Sequence, residues 1–279
     1  MKSYQKYFSA CLLALLAQSA YAVQSASGST IAVLGGPAVT CTDSTITGNV
    51  DIFAPVPPGS SVTQTNCTIN GTIHSGDATA VQDNSAFFAA YDAAAATQCG
   101  QVLTGTLAGV TLAPGVYCFD AAATLTGLLT LKGPSNGIWL FKVGTLGTGA
   151  LTGTNLQMVM DGGGQACNVT WQVAQAATLT TSDFLGTVLA GAAITLTGGT
   201  FNGDALAKFA VTLTGSTLTP CALAGGGSSN APRQRCNQGV GNGPENCDPG
   251  NSNQGDPSRS NDENAGTPGN PGRKGGNGR

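Results

Sequence analysis

Between residues 23 and 221 the sequence has no arginine, no glutamate and three lysines against nine aspartates, a net charge of −6. A chain with so few basic residues lacks the positive surface that binds nucleic acid or anionic membranes. After the first 22 residues, no apolar run reaches the roughly 20 residues that a membrane-spanning helix needs. We therefore expect neither nucleic acid nor membrane as a partner, and we expect a monomer.

The same absences weigh against catalysis and metal binding. Enzymes that cleave polysaccharides need clustered carboxylates, whereas the aspartates here are scattered and have no arginine beside them. The only histidine, His74, is not spaced from a serine or cysteine like a base from its nucleophile, so we interpret it as a strand-end residue. A zinc site would need more histidines or a C-x-x-C pair. We predict no enzyme and no cofactor.

Residues 1–22 have the pattern of a signal peptide. Two lysines precede a short apolar run, and Ala20-Tyr21-Ala22 is an A-x-A cleavage site, so the mature chain is expected to begin near Val23. Lipid attachment at Cys11 is the competing interpretation. The prediction is a secreted or extracellular protein, with the periplasm and the cell surface left open.

Eight cysteines remain after the leader, an even number that favours disulfides in an exported chain. Their positions suggest four local pairs out of the roughly 105 connectivities that eight cysteines allow. The predicted pairs are Cys41 with Cys67, Cys99 with Cys118, Cys167 with Cys221, and Cys236 with Cys247.

The composition changes after Cys221. Residues 222–279 carry six basic and five acidic side chains and almost nothing apolar after Leu223, so they are too polar to form a core. The acidic stretch 248–263 is similar to a calcium-binding loop but departs from the EF-hand spacing, and a polar spacer is the simpler interpretation. We predict a signal peptide at 1–22, one domain at 23–221 and a disordered Gly/Asn/Pro-rich tail at 222–279.

A 17-residue repeat organises the domain. Thr180, Thr197 and Thr214 each begin a four-residue unit, and an apolar β-forming run precedes each unit. Repeats of this size form stacked coils, because one coil alone cannot bury its apolar face. Further units start at Thr42, Thr65 and Thr152, and Thr126 lies at a degenerate one; the starts 126, 152, 180, 197 and 214 imply steps of 26, 28, 17 and 17.

One segment, residues 77–97, breaks the β pattern. It is rich in alanine, has no glycine or proline, and places Val81, Phe88 and Tyr91 at helical spacings. Asp77 is a candidate N-cap, and Gly100 marks the end. A helix of this length spans about 30 Å, roughly the height of six coils spaced by about 4.8 Å, so it can cover one side of a stack.

These motifs together resemble a secreted ice-binding protein family. The resemblance covers about residues 28–221 and rests on seven segments in this order: Ile31–Gly36, Ile46–Gly48, Gly71–His74, Leu112–Tyr117, Ile138–Phe141, Ala166–Gln172 and Asn202–Ala207. It implies a mainly β fold, a right-handed irregular β-solenoid of triangular cross-section with one long α-helix along one face. It also implies that the N- and C-terminal coils stack on each other and that a flat exposed face meets ice.

The family's ice-binding face often carries a T-A/G-x-T/N unit, which the threonine units of this chain match fully or in part. Threonine offers a hydroxyl and a methyl group from a side chain with few rotamers, so a stacked row is ordered before ice arrives. Threonine is also an ordinary solvent-facing strand residue, and an adhesion or structural module on the same fold is the alternative function. The predicted ice-binding residues are Thr42, Thr45, Thr65, Thr68, Thr152, Asn155, Thr180, Thr197, Thr200, Thr214 and Thr217.

Overall fold

The computed structural model describes residues 31–54 and 62–221, which fold as a β-solenoid with one long helix. This confirms the predicted fold class. The predicted signal peptide, the predicted tail and the predicted Cys236–Cys247 pair lie outside the described residues. Within the described part of the chain, no helix is long and apolar enough to cross a membrane.

The strands of the stacked coils form three faces, and all strand pairs of the described chain are parallel. The first face, here called the covered face, contains nine strands. In stacking order they are β7 (Ile73–Ser75), β4 (Asn49–Ile52), β1 (Ile31–Gly35), β18 (Ala205–Ala207), β16 (Thr187–Ala190), β14 (Val169–Val173), β12 (Trp139–Val143), β10 (Gly115–Phe119) and β8 (Gln101–Val102).

The other two faces share four long strands that continue from one face to the next. These are β11 (Ala123–Lys132), β13 (Leu151–Asp161), β15 (Ala177–Leu185) and β17 (Ile194–Asn202). Their first halves align with β5 (Thr63–Thr65), β2 (Val39–Thr42) and β19 (Val211–Thr214) to form the threonine face. Their second halves align with β6 (Thr68–Asn70), β3 (Thr45–Thr47), β20 (Thr217–Thr219) and β9 (Val110–Leu112) to form the third face.

Strand alternation builds the core. On the threonine face the residues between the threonines, such as Leu179, Leu196 and Leu213, point inward and are buried. On the covered face equivalent positions carry aromatic rings, and Phe141 stacks on Trp171 with ring centroids 3.9 Å apart. The interior is therefore a column of like side chains, one from each coil.

The stacking order differs from the chain order. The first strand, β1, lies between β4 and β18, so the N-terminal coils stack on the last coil, and the middle coils follow from there. This confirms the arrangement that the family resemblance implied.

Helix α1 (Ala78–Ala96) leaves the stack after β7 and returns to it before β8, the two ends of the covered face. Asp77 is the N-cap, as predicted, and its carboxylate accepts from the backbone N–H of Ala80 at 2.9 Å. The buried side of the helix is formed mainly by small residues and Phe87. Val81 was predicted among the residues at helical spacings, but it is 51% exposed, because the side of the helix that carries Phe87 and Ala90 faces the sheet instead.

One row of outward side chains on the covered face runs beneath this helix, and we call it the helix row. Leucines occupy its middle, and polar or charged residues occupy its ends. In stacking order it is His74, Asp51, Leu34, Leu206, Leu189, Gln172, Lys142 and Cys118. The leucines pack with Phe87, Ala90 and Ala94 in a second apolar cluster, outside the solenoid interior.

Lys142 fixes the other end of the helix. Its ammonium group donates to the carbonyl oxygens of Ala95, at 2.7 Å, and Thr97. These are carbonyls of the last turn, where a helix has unpaired acceptors and a partial negative charge. Burial lowers the pKa of Lys142 below that of a solvated lysine.

Three disulfides join Cys41 to Cys67, Cys99 to Cys118, and Cys167 to Cys221. They are the pairs expected from the chain positions. The first attaches the terminal coil to its neighbour, the second attaches the segment after the helix to β10, and the third attaches the end of the described chain to a short 3-10 helix at Ala166–Asn168. Each bridge therefore lies where the repetitive stacking ends or is interrupted.

Candidate functional site

Two rows of threonines cover the threonine face. Their side chains point outward on alternate positions of each strand and are exposed or half-buried. Row one consists of Thr63, Thr40, Thr212, Thr195, Thr178, Thr152 and Thr124 in direct register. Row two consists of Thr65, Thr42, Thr214, Thr197, Thr180 and Thr154.

The spacing of this array follows from the geometry of a sheet. Neighbouring strands lie about 4.8 Å apart, and two residues along a strand span about 6.7 Å, so the hydroxyl and methyl groups repeat in a rectangular pattern. β-Branching restricts each threonine to few side-chain rotamers. The result is a regular surface of alternating polar and apolar groups with no charged side chain in either row.

The four-residue units are corners between two faces. In an uninterrupted strand, residues three apart point to opposite sides, yet Thr197 and Thr200 are both exposed. The second residue of each unit has a positive φ, and this turn in the backbone brings both threonines to the outside. It is Asp43, Asn66, Asn155, Thr181, Gly198 or Gly215, with φ between 48° and 65°.

Buried serines hold several corners together. Ser182 donates to its own coil's Thr180 carbonyl at 2.9 Å and accepts from the Leu156 N–H at 3.3 Å. Ser44 donates to the Thr42 carbonyl at 2.7 Å and accepts from the Ser216 N–H at 3.0 Å. These bonds satisfy backbone groups that the turn removes from the ladder, so the threonine rows end in a rigid edge.

The structure distributes the eleven predicted residues over three places. Thr42, Thr65, Thr180, Thr197 and Thr214 form most of row two, and Thr152 belongs to row one. Thr45, Thr68, Thr200 and Thr217 form a row of their own on the third face, beyond the corner. Asn155 occupies the corner itself, with φ of 50°.

One register assignment is wrong. The unit assigned to Thr152–Asn155 begins at Thr154, since Thr154 pairs with Thr180 and Thr152 pairs with Thr178. The coils around it are longer than 17 residues, and a register shift between Leu125 and Gly127 interrupts the neighbouring strand. Sequence spacing alone therefore placed this unit two residues too early.

Row one, apart from Thr152, was not predicted from the sequence. Its signal is a threonine two residues before each unit, as in Thr195-Leu-Thr197, Thr212-Leu-Thr214 and Thr178-Leu-Thr180. This period-two alternation indicates two outward residues in each strand, and it identifies the row once the strands are aligned.

Charges lie beyond the corner. On the third face the threonine row continues from Thr200 to Asp183, whose carboxylate accepts from the Thr200 hydroxyl at 2.7 Å. Further along, Lys132 and Asp161 form an exposed ion pair at 2.8 Å, and Lys132 lowers the pKa of Asp161. The third face therefore carries charged side chains on three adjacent strands, β15, β13 and β11, whereas rows one and two carry none.

Comparison with known proteins gives a consistent set of relatives. The sequence model of the family described as Ice-binding-like matches residues 15–219. An ice-binding protein of Nostoc sp. (strain HG1) is 36% identical over 208 residues, which is 70% of this chain and 74% of that protein.

Solved structures agree with the sequence relatives. The crystal structure of an ice-binding protein from the Antarctic ascomycete Antarctomyces psychrotrophicus is 31% identical, with a TM-score of 0.63, and covers 70% of this chain and 96% of that one. An ice-binding protein from an Antarctic biological consortium is 33% identical, with a TM-score of 0.64, and covers 72% of this chain and 91% of that one.

Proposed function

Since the chain belongs to the Ice-binding-like family, we propose that it is a secreted antifreeze protein that adsorbs to ice through the threonine face. The observation that carries the proposal is the two threonine rows in direct register over six or seven coils. No other face of the described chain offers a repeat of this length without charge.

The binding mechanism follows from the array. Each hydroxyl donates and accepts hydrogen bonds with water, and each methyl group restricts the positions that water can take between the rows. Because sheet geometry and β-branching fix the threonines in advance, little conformational entropy is lost when ice is bound. The spacing along the rows is close to repeat distances in the ice lattice, so bound water joins the crystal.

The third face has a smaller role in this proposal. Thr45, Thr68, Thr200 and Thr217 extend the threonine surface around the corner for four coils, and Asp183 ends that row. A charged side chain retains its own hydration shell, which is incompatible with a flat contact with ice. We therefore assign the main contact to rows one and two, with these four threonines and Asn155 at its margin.

The proposed location is outside the cytosol. The described chain contains three disulfides, and such bonds persist in oxidising compartments. Their formation is compatible with the signal-peptide pattern at residues 1–22. N-terminal sequencing of the protein recovered from the culture medium tests the proposed start near Val23; an intracellular protein that keeps Met1 contradicts it.

The test of the binding face is a bulky substitution in row two. Thr197→Tyr and Thr214→Tyr should each reduce ice recrystallisation inhibition strongly, because a projecting ring separates the flat face from ice over several coils. Thermal stability should stay within about 0.5 kcal/mol, as is usual for exposed positions. Asp92→Tyr on the exposed side of the helix is the matched control and should keep full activity.

Two outcomes would contradict the assignment. Equal loss of activity in the control and in the threonine variants means that the rows are not the contact surface. Absence of any ice shaping or recrystallisation inhibition by the wild-type protein means that the fold serves another purpose, for which an adhesion module on the same flat face is the alternative.

A further inference from the structure

The third face carries a second block of threonine and asparagine side chains, which we call the second array. Its first row, row three, is the line of threonines already described beyond the corner: Thr68, Thr45, Thr217 and Thr200. Two residues further along the same strands lies row four, which consists of Asn70, Thr47, Thr219 and Asn202. Seven of these eight side chains are exposed, and Thr45 is half-buried. The third face thus offers a two-dimensional array on these four strands.

The core holds the second array in register. Asn70 pairs with Thr47, and Thr219 pairs with Asn202. The paired residues that precede Thr219 and Thr47, Leu218 and Ile46, are both fully buried, so they fix the contact between these two strands. The array therefore has the spacing of any parallel sheet, about 4.8 Å between strands and about 6.7 Å along each strand, which is also the spacing of rows one and two.

A change of chemistry ends the second array on one side. The residue after Thr200 in row three is Asp183, whose carboxylate accepts from the Thr200 hydroxyl at 2.7 Å. The residue after Asn202 in row four is Leu185, and Gln157 follows Asp183. On the other side the array continues to β6, the last strand of this face in the described chain. The uncharged surface therefore extends from β17 to β6.

The second array is separated from rows one and two by the corner. Because the two faces point in different directions, one flat crystal plane cannot contact both. The corner also carries a charge, since Asp43 is exposed there and its carboxylate accepts from the side-chain amide of Asn66 at 3.0 Å. A hydrated carboxylate on this ridge prevents ice from bridging the two surfaces. The second array is therefore a separate surface with the same chemistry, of hydroxyl, methyl and amide groups.

We propose that the second array is an ice-contacting surface in its own right, so that the protein adsorbs through either of two faces, and that Asp183 limits the smaller one. This inference rests on the proposed function, because it extends the same binding chemistry to another face. Four strands span about 14 Å, whereas the seven strands of row one span about 29 Å. The second array therefore contributes the weaker adsorption, which becomes measurable when rows one and two are blocked.

The test measures how much fluorescently labelled mature chain a slowly grown ice crystal incorporates. Thr214→Tyr, which obstructs row two, is the starting variant and should retain measurable incorporation. Adding Thr217→Tyr obstructs the second array as well and should lower the remaining incorporation at least about threefold. Gln157→Tyr is the matched control, because it places the same ring on an exposed position of the same face beyond Asp183. Added to Thr214→Tyr, it should leave the remaining incorporation unchanged.

A gain of adsorption tests the role of Asp183. In the Thr214→Tyr background, Asp183→Thr removes the charge, releases the Thr200 hydroxyl and lengthens row three from four strands to five. The remaining incorporation should rise at least about twofold. Misfolding cannot produce such an increase. If Thr217→Tyr lowers the melting temperature by more than about 4 °C, which corresponds to roughly 1 kcal/mol, Thr68→Tyr on the terminal coil replaces it.

The outcomes separate this inference from the proposed function. If ice does not incorporate the wild-type protein, the proposed function fails and this inference fails with it. If wild type is incorporated but Thr214→Tyr is not, the threonine face is the only contact and the second array is overturned alone. The same conclusion follows if Thr217→Tyr has no further effect in the Thr214→Tyr background, or if Gln157→Tyr lowers incorporation equally. An unchanged value for Asp183→Thr overturns Asp183 as the limit of the array.

Discussion

The covered face and the threonine face belong to the same coils and share one interior. They differ in the type of side chain that points outward from their strands. The helix row presents Leu34, Leu206 and Leu189, whereas row one presents seven threonines and row two presents six. An outward leucine gains about 1.5–3 kcal/mol from burial, so this face is stable only beneath a helix. A threonine gains little from burial and interacts well with water. Outward residue type thus decides which side of a solenoid stays open.

The largest contrast between the two faces should appear in stability. Leu189→Ala removes part of the contact with the helix and should lower the free energy of unfolding by about 2–5 kcal/mol. Thr197→Ala in the same coil removes an exposed side chain and should change it by at most about 0.5 kcal/mol. Chemical denaturation of both variants measures the difference, and similar costs would show that the helix contributes little.

A second contrast, in ice activity, separates the threonine face from the third face. Thr214 and Thr217 are the two ends of one corner and lie on different faces. Thr214→Tyr should reduce recrystallisation inhibition at least about tenfold, equivalent to about 1.4 kcal/mol of adsorption free energy. Thr217→Tyr should cost only a fraction of that. A larger loss at Thr217 would move the main contact to the third face.

A smaller effect is expected where the third face meets the covered face. Asp204 is buried there, and it accepts from the Thr187 hydroxyl at 2.9 Å and the Cys221 N–H at 3.0 Å. Burial raises its pKa to about 7, although both hydrogen bonds act in the opposite direction.

Because the folded state keeps the proton of Asp204 while the unfolded state loses it near pH 4, stability should fall between about pH 4 and pH 7, by at most about 1.4 kcal/mol per pH unit. Asp204→Asn should remove this part of the slope. The part due to Asp51, whose pKa is raised to about 8 chiefly by burial, extends to higher pH and should remain. Melting curves from pH 4 to pH 9 measure both, and an unchanged slope in Asp204→Asn contradicts the assignment.

The smallest effect concerns the polar tail. Both faces are complete at Thr219, and Cys221 closes the last disulfide. A chain that ends after Cys221 should therefore melt within roughly 2 °C of the full-length mature chain, which corresponds to less than about 1 kcal/mol. A larger decrease would place the domain boundary further along the chain.

The structural elements that are determined by residues close together in the sequence were predictable. The 17-residue coils at Thr180, Thr197 and Thr214, and the N-cap at Asp77, follow from periodicity and capping chemistry and agree with the structure. The corner was not predictable, because its second residue is glycine in only some coils and Asp43, Asn66 or Thr181 in others. Two threonines three residues apart were therefore predicted to lie on one flat face, whereas they lie on two faces that meet at the corner.

Features that depend on distant residues were harder to predict. Thr152 was misaligned because the loops of the longer coils and the irregularity at Leu125 disrupt the count of residues between units. Asp51 and Asp83 are both buried, which no sequence motif indicates, because the helix crosses back over the first coils. The family resemblance supplied the coil order, which local patterns do not contain.

The position of β1 has a consequence for how the protein is made. Of the described strands, β1 is synthesised first, yet one of its two neighbours, β18, is among the last. The same holds on the threonine face, where the late strand β19 lies between the early strand β2 and β17. A nascent chain therefore holds two incomplete stacks with open strand edges, which tend to associate with other chains. The two stacks cannot join until β18 and β19 have been synthesised. We expect an export route that keeps the chain unfolded until its C-terminal coils are available, and only then does the ice-binding surface become continuous.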